Sequence, residues 1–125
     1  MPKYMISFND GDMTFPEEDF PAVGAAAHAV MREAFEKGHW MFGGGFMGFD
    51  ARVVDANGVV TPGPIAHSDV HIGGFCVLDV TNDEEANKWA QKFAVACRCS
   101  QEVRLIMEDK LQDEMRKEFW KYSSY

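Results

Sequence analysis

Two histidines and an aspartate alternate in the middle of the sequence. His67, Asp69 and His71 occur in the segment PIAHSDVHIGGF, residues 64–75. In an extended chain, residues two apart project from the same side, so these side chains would converge if the segment were a strand. Imidazole exchanges protons near neutral pH, and imidazole with carboxylate suits zinc or iron. The spacing leaves three interpretations open: acid–base or ligand-binding residues, a metal site, or polar side chains of a solvated loop.

Two further residues are candidates for the same chemistry. His28 flanks an apolar stripe at helical spacing and could point into a cleft between that helix and a sheet. Asp50 follows the segment GGGFMGF, and with Asp69 it is a candidate carboxylate partner, because a carboxylate orients a histidine ring and raises its basicity. The alternatives are a histidine bonded to backbone or water, and an aspartate that caps a turn. His39 is expected to begin a strand, without a chemical role.

Glycine and aromatic residues lie next to these polar candidates. The pattern G-x-G-x-x-G occurs in residues 43–48, but its glycines lead into a strand rather than a helix, so a dinucleotide site is not expected. A bend, a bulge or a close backbone approach explains them better. Phe46 is a candidate for an apolar ligand wall, with core or dimer packing as the alternative. Gly73 and Gly74 either leave room for a ligand or partner strand, or mark a bulge.

Composition and charge exclude several classes of protein. The chain has 125 residues, of which 46% are hydrophobic, which indicates one domain with its own core. The net charge of −8 argues against nucleic-acid and anionic-membrane partners. No apolar run approaches the roughly 20 residues of a membrane span, and the polar start MPKYMISFNDGD is unlike a secretory signal. The odd number of cysteines, Cys76, Cys97 and Cys99, favours reduced thiols in the cytoplasm.

The hydrophobic pattern predicts the element order β-α-β-β(-β)-β-α-β with a terminal helix. Asn57 and Gly58 are typical of a type I′ hairpin turn, and residues 81–84 have the form of a helix capping box. The order indicates an α+β fold of the ferredoxin-like, split βαβ type, with an antiparallel sheet and helices on one face. The other face needs a cover, and a second copy of the chain is the simplest one. The terminal helix is amphipathic and should dock on its own subunit or on a dimer mate.

One segment resembles the signature of a known family. Residues 60–75, VTPGPIAHSDVHIGGF, are similar to the pattern V-T-D-G-P-F-A-E-T-K-E-Q-L-G-G-F of the DGPF branch of the YCII-related family. The matching residues are Val60, Thr61, Gly63, Pro64, Ala66, Gly73, Gly74 and Phe75. The resemblance covers residues 1–108, which we interpret as a YCII-related ferredoxin-like domain, and residues 109–125 are a C-terminal amphipathic extension of that domain.

The resemblance implies a ferredoxin-like protomer that dimerises into an α/β barrel with a cleft between sheet and helices. Some YCII-like proteins use a His–Asp pair in acid–base chemistry, with the histidine in the first helix, and one branch removes chloride from a chlorinated hydroxyquinol. Two signature residues differ here, since Pro62 replaces the Asp and Ile65 replaces the Phe. Positions that are commonly Glu, Lys and Gln are His67, Asp69 and His71, so the resemblance transfers no role to these three.

These observations lead to two hypotheses of function. The first is a homodimeric small-molecule enzyme that uses His/Asp acid–base chemistry, an elimination or isomerisation of an oxygenated compound. The second is a non-catalytic dimeric module for small-ligand binding or assembly. Neither requires a cofactor or a resident metal. The candidate catalytic residues are His28, Asp50, His67 and Asp69, and the candidate ligand-binding residues are His71, Gly73, Gly74 and Phe46.

Overall fold

A four-stranded antiparallel sheet with two long helices on one face forms the body of the protein. The structure is a computed structural model that describes residues 1–47, 50–66 and 68–120. Its elements are β1 (Lys3–Asn9), α1 (Phe20–Glu36), β2 (Trp40–Gly45), β3 (Arg52–Val54), β4 (Val60–Pro62), β5 (Ile72–Asp79), α2 (Asp83–Cys97), β6 (Glu102–Leu105) and α3 (Lys110–Phe119). A short 3₁₀ turn, Glu17–Asp19, precedes α1.

The strand order in the sheet is β2-β5-β1-β6, and each neighbouring pair is antiparallel. It follows that β1 and β2 run parallel with β5 between them, and α1 connects them. In the same way, β5 and β6 run parallel on either side of β1, and α2 connects them. The strands β3 and β4 form a separate two-stranded hairpin. The predicted α+β class with an antiparallel sheet is therefore confirmed.

The sheet buries one face against the helices. Tyr4 pairs with Leu78 and Ile6 pairs with Cys76, so the four side chains share one side of the sheet. All four are at most 5% exposed. Buried residues of the two helices cover them. These are Ala34 of α1 and Ala86, Trp89, Ala90 and Phe93 of α2. Removal of this apolar surface from water is the main stabilising term of the fold.

The start of α2 differs by one residue from the predicted capping box. Asn82 is the N-cap, and its side-chain oxygen accepts from the Glu85 N–H at 2.9 Å. The Glu85 carboxylate accepts in turn from the Thr81 N–H at 2.8 Å. The predicted pair at residues 81 and 84 is wrong because asparagine is at least as good an N-cap as threonine, and it has its own glutamate three residues on.

The hairpin turn also differs from its prediction. The Asp55 carboxylate accepts from the N–H groups of Asn57 and Val59, both at 2.9 Å, and stabilises a longer loop. Gly58 alone in this loop has a positive φ, of 83°, whereas a type I′ turn requires one at both central residues. The type I′ prediction is therefore wrong, although the hairpin itself is present.

His39 connects two strands and a helix at one end of the sheet. Its Nδ1 lies 2.9 Å from the Asp79 carbonyl oxygen, and its Nε2 lies 3.1 Å from Glu85 Oε1. The Asp79 N–H donates back to the His39 carbonyl at 2.8 Å. Both ring nitrogens face acceptors, so the imidazolium form donates to both. His39 thus joins the start of β2 to the end of β5 and to the first turn of α2.

We predict that Asn82→Ala lowers the free energy of unfolding by about 1 kcal/mol, because it removes the N-cap acceptor of α2. Urea denaturation followed by circular dichroism measures the change. The control is Asn87→Ala, at an exposed position inside the same helix, where alanine has the better helix propensity. A destabilisation by Asn87→Ala as large as that by Asn82→Ala would contradict the capping role.

A second prediction concerns pH. The N–H of Thr81, with a further contribution from His39, holds the pKa of Glu85 below its ordinary value of 4.5. A carboxylate with a lowered pKa stabilises the fold above its ordinary pKa, and this contribution is lost as the pH falls through the folded value. Glu85→Gln should therefore lower the stability at pH 7, and the difference from the wild type should shrink as the pH falls from about 5.5 to about 3.

The matched control for this pH series is Glu84→Gln, which removes a neighbouring carboxylate whose contact is an exposed pair with Lys88 at 3.7 Å. Its difference from the wild type should be small at every pH. A Glu85→Gln difference that stays constant between pH 7 and pH 3 would show that the charge of Glu85 does not contribute.

Candidate functional site

A cavity of about 510 Å³ lies at the end of the sheet where β1 and β2 end and β5 begins. The hairpin of β3 and β4 and the loop that follows it form the other walls. The cavity is lined by Asp10, Phe46, Met47, Asp50, Ala51, Arg52, Val53, Pro64, Ile65, His71, Ile72 and Gly73. Its volume lies within the range of pockets that hold small molecules.

Backbone hydrogen bonds hold the cavity walls together. The Asp10 N–H donates to the His71 carbonyl at 2.7 Å, which attaches the residue after β1 to the residue before β5. The Phe46 N–H donates to the Gly73 carbonyl at 2.9 Å, which continues the pairing of β2 with β5. Asp10, Phe46 and His71 are thus positioned by the ends of the sheet rather than by a long loop.

Of the described residues that line this cavity, four are ionisable: Asp10, Asp50, Arg52 and His71. Arg52 Nη1 lies 3.2 Å from Asp50 Oδ1, and both side chains are well exposed, at 63% and 78%. An exposed ion pair is weak, so the guanidinium can exchange Asp50 for an anionic group of a ligand at little cost. His71 supplies an imidazole, the side-chain type used most often in general acid–base catalysis. The cavity therefore combines an anion-binding group with proton-transfer groups.

The remaining lining residues are largely apolar. The Phe46 ring stacks on Phe75 with 5.7 Å between the ring centroids. Ile65 and Ile72 are 44% and 42% exposed, so their side chains offer apolar surface to a ligand. A cavity with apolar walls and a few polar groups favours a small organic molecule with an oxygenated end.

The structure brings together half of the sequence-predicted site residues. Asp50, Phe46, His71 and Gly73 line the cavity. Asp69 is exposed and is not among the lining residues. Residues 68–71 belong to no strand, so an extended strand does not align this part of the predicted triplet. His67 lies outside the described residues, and its predicted role stays a prediction.

His28 lies elsewhere. Its side chain is exposed and contributes to a surface hollow lined by residues of α1, within residues 25–36. The cavity at the end of the sheet has no lining residue from this helix. We expected His28 to lie on the side of α1 that faces the sheet. The buried residues of this helix are Val23 and Ala34, and His28 is exposed.

Two cavity residues were not among the sequence-predicted candidates. Asp10 directly follows β1, and Arg52 is the first residue of β3. Their proximity to His71 depends on the pairing of β1 with β5 and on the position of the hairpin. The one available signal for Asp10 was its place directly after a strand, where sheet ends commonly place functional side chains.

The cysteines are not suited to nucleophilic catalysis. All three are free thiols, and Cys76 and Cys97 are buried. Burial raises the pKa of Cys76 to about 12, and burial also raises the pKa of Cys97 and of Cys99. A thiol becomes a nucleophile as the thiolate, so a raised pKa keeps all three in the inert form near neutral pH.

Among the described residues, no group of three or more His, Cys, Asp or Glu side chains is arranged to hold a metal ion. His67 is outside that part of the chain, so the metal hypothesis for residues 67–71 stays a hypothesis. No helix in the described ranges is long and apolar enough to cross a membrane.

Comparison with known proteins adds no assignment: no family model matches the chain, and no curated protein matches it significantly.

Glycines permit close contacts of the strands next to the cavity. A Cβ atom at Gly74 would lie 2.6 Å from the Phe8 ring. The space beside Gly74 is therefore filled by this side chain of the neighbouring strand β1. A side chain at Gly43 would meet the backbone carbonyl of Phe75 at 2.5 Å and the Cα of Cys76 at 2.7 Å. The glycine at position 43 therefore lets β2 approach β5.

We predict that Gly43→Ala destabilises the protein by about 2 kcal/mol or more, because backbone atoms cannot move aside as a side chain does. The control is Gly44→Ala, where a methyl group would meet nothing within 4 Å. Thermal and urea denaturation of both variants test the difference. Equal effects of the two substitutions would contradict the close approach of β2 to β5.

Proposed function

We propose that the protein is a small-molecule enzyme that uses acid–base chemistry in the cavity at the end of the sheet. The observation that supports this is the convergence of Asp10, Asp50, Arg52 and His71 on one cavity with apolar walls. The proposed reaction class is an elimination or isomerisation of an oxygenated compound, since both proceed by proton transfer. Such a reaction needs a positioned base and an electrostatic partner for the negative charge that develops.

Each group has a distinct role in this proposal. Arg52 binds the anionic or carbonyl oxygen of the substrate and stabilises charge that develops on it. His71 removes a proton from the carbon next to that oxygen-bearing group. In an isomerisation it returns the proton to another carbon as the double bond shifts. In an elimination it keeps the proton, the C–H electron pair forms a C=C bond, and the leaving group departs with the electron pair of its own bond to carbon. Asp10 and Asp50 supply carboxylates that can accept hydrogen bonds from the substrate. Phe46 and Ile65 pack against the apolar part of the substrate.

We also propose that the protomer is ferredoxin-like and of the YCII-related type. Without the β3–β4 hairpin and the terminal helix α3, the order of helices and strands is β-α-β-β-α-β, which is the order of a split βαβ fold. The signature-like residues 60–75 include parts of the cavity wall, namely Pro64, Ile65 and residues 71–73. Of the residues that match the signature, Pro64 and Gly73 line the cavity, so the resemblance and the proposed site overlap in part.

A homodimer in the cytoplasm completes the proposal. The sheet face away from the helices bears Met5, Phe42, Phe75 and Val77, and Phe42 is 58% exposed. Exposed apolar surface of this kind is typical of an interface between subunits. The free thiols are consistent with a reducing compartment.

The second candidate function is a non-catalytic dimeric module that binds a small ligand or serves in assembly. It is favoured by the exposed pair of Arg52 and Asp50, which suits ligand exchange but lacks the burial that raises the reactivity of many catalytic groups. In this case the cavity binds a ligand without changing it.

We predict that salicylate, an oxygenated aromatic carboxylate, binds in the cavity and that His71→Asn weakens its binding about tenfold, which corresponds to about 1.4 kcal/mol. Arg52→Gln should weaken it at least as much, because the guanidinium is the anion-binding group. Isothermal titration calorimetry gives the affinities of the purified variants. The test holds for both candidate functions because it measures binding.

The matched control is His28→Asn, which changes an exposed histidine outside the cavity. Its affinity for salicylate should equal that of the wild type. If His28→Asn weakens binding and His71→Asn does not, the cavity is not the site. Incubation of bound oxygenated compounds in D₂O separates the two functions. An enzyme that removes a proton from carbon exchanges that hydrogen for deuterium, whereas a binding module does not.

A further inference from the structure

The C-terminal helix α3 has its apolar side turned outward. Leu111, Met115 and Phe119 follow one another at intervals of four residues and form the outward stripe of this helix. They are 61%, 48% and 74% exposed. An amphipathic helix ordinarily packs such a stripe against the core of its own domain. The stripe on α3 lacks that core contact.

The polar side of α3 faces the rest of the chain instead. Asp113 and Arg116 are the two residues of the helix that are partly buried, and Arg116 Nη1 donates to Asp113 Oδ1 at 2.6 Å. Both residues line a cavity of about 540 Å³ between α3, the N-terminal residues 1–3 and the segment 105–109. Among the described residues, the polar side of α3 faces its own subunit and the outward stripe is exposed, so a second molecule can supply the partner of the stripe.

Within the described part of the chain, a second apolar surface has no helix packed on it. The open face of the sheet, defined here as Met5, Phe42, Phe75 and Val77, lies opposite the helix-covered face. Phe42 contacts Phe75 with 6.2 Å between ring centroids and is 58% exposed. The other three side chains are partly exposed. A sheet needs a packed layer on each apolar face, and a helix is one of the layers that fits.

We propose that the outward stripe of α3 packs on the open face of the sheet in a second copy of this chain. The inference rests on the homodimer proposed above, but it places the partner's α3 on the open sheet face, in contrast to the sheet-to-sheet barrel that the family resemblance implies. In a two-fold symmetric dimer the contact occurs twice, since each copy supplies one helix and one sheet face. Both unpartnered surfaces of each chain are then covered, and the assembly is closed.

The available area fits a stable dimer. A fully buried aromatic side chain covers about 150–250 Å², so the exposed parts of the seven side chains amount to about 600 Å² in each protomer. The total of about 1,200 Å² for two protomers reaches the lower limit of specific, stable interfaces. Flanking residues add to this value.

A membrane surface is a poorer occupant for the stripe. The helix Lys110–Phe119 contains three basic and three acidic residues, so it has no net charge that would attract anionic lipids. The whole chain has a net charge of −8, which opposes such binding further. The self-association of two copies needs no opposite charge on the partner.

The experiment measures the dimer by sedimentation velocity with the full chain. The wild type should be a dimer, and Phe119→Ser and Phe42→Ser should each raise its dissociation constant by about thirtyfold or more, as expected for the loss of an apolar anchor. Val95→Ser is the matched control, because Val95 is a 75% exposed apolar residue of α2 outside both surfaces. Circular dichroism verifies that the variants are folded.

A mixing experiment tests which surface contacts which. Phe119→Ser retains an intact sheet face and Phe42→Ser retains an intact helix, so a heterodimer of the two variants regains one complete helix–sheet contact. The mixture should therefore associate more tightly, by about fivefold or more, than either variant alone. No such gain is expected if the helices of two copies pack on one another.

The outcomes separate the inference from the homodimer proposal. A monomeric wild type overturns both. A dimer that Phe119→Ser leaves intact overturns the helix–sheet contact while the homodimer stands, as does the absence of a gain on mixing. Sedimentation of the wild type with phosphatidylserine vesicles, abolished by Phe119→Ser, would assign the stripe to a membrane and also overturn the inference.

Discussion

The antiparallel register of β1 and β5 is the constraint on which the rest of the structure depends. Ile6 lies opposite Cys76, and this pairing directs the buried side chains of both central strands to the helices. A slip by one residue would turn these side chains to the open face and expose the core. At the other end of the same pair, the register brings Asp10 next to His71. One alignment of two strands thus determines both the core and the candidate site.

The sequence predicts the elements well because their patterns are local. Alternating burial along β5 and the helical stripes of α1 and α2 follow from side-chain spacing alone. The errors concern interactions that compete over a few residues. Asn82 rather than Thr81 caps α2, and the Asp55 carboxylate favours a longer hairpin loop than Asn57 and Gly58 predict.

The candidate site is less predictable because its residues meet through pairing distant in sequence. The spacing of His67, Asp69 and His71 suggested a local cluster, but the cavity combines His71 with Asp10 from the end of β1 and Arg52 from the hairpin. Sequence spacing indicates which side chains share a face of one element. It does not indicate that a turn residue and a hairpin residue contribute to the same cavity. The outward stripe of α3 illustrates the same limit, since its amphipathic pattern predicts a partner without identifying it.

The central claim is that the cavity beside His71 is the ligand-binding site, and the ring nitrogens of the histidines report on it most directly. Long-range ¹H–¹⁵N spectra of the wild type, recorded during a titration with salicylate, follow each described histidine separately. The account predicts that the His71 ring nitrogens shift as salicylate binds, while those of His28 and His39 keep their positions. A shift at His28 with none at His71 would contradict it, and so would salicylate binding that leaves the His71 ring unchanged.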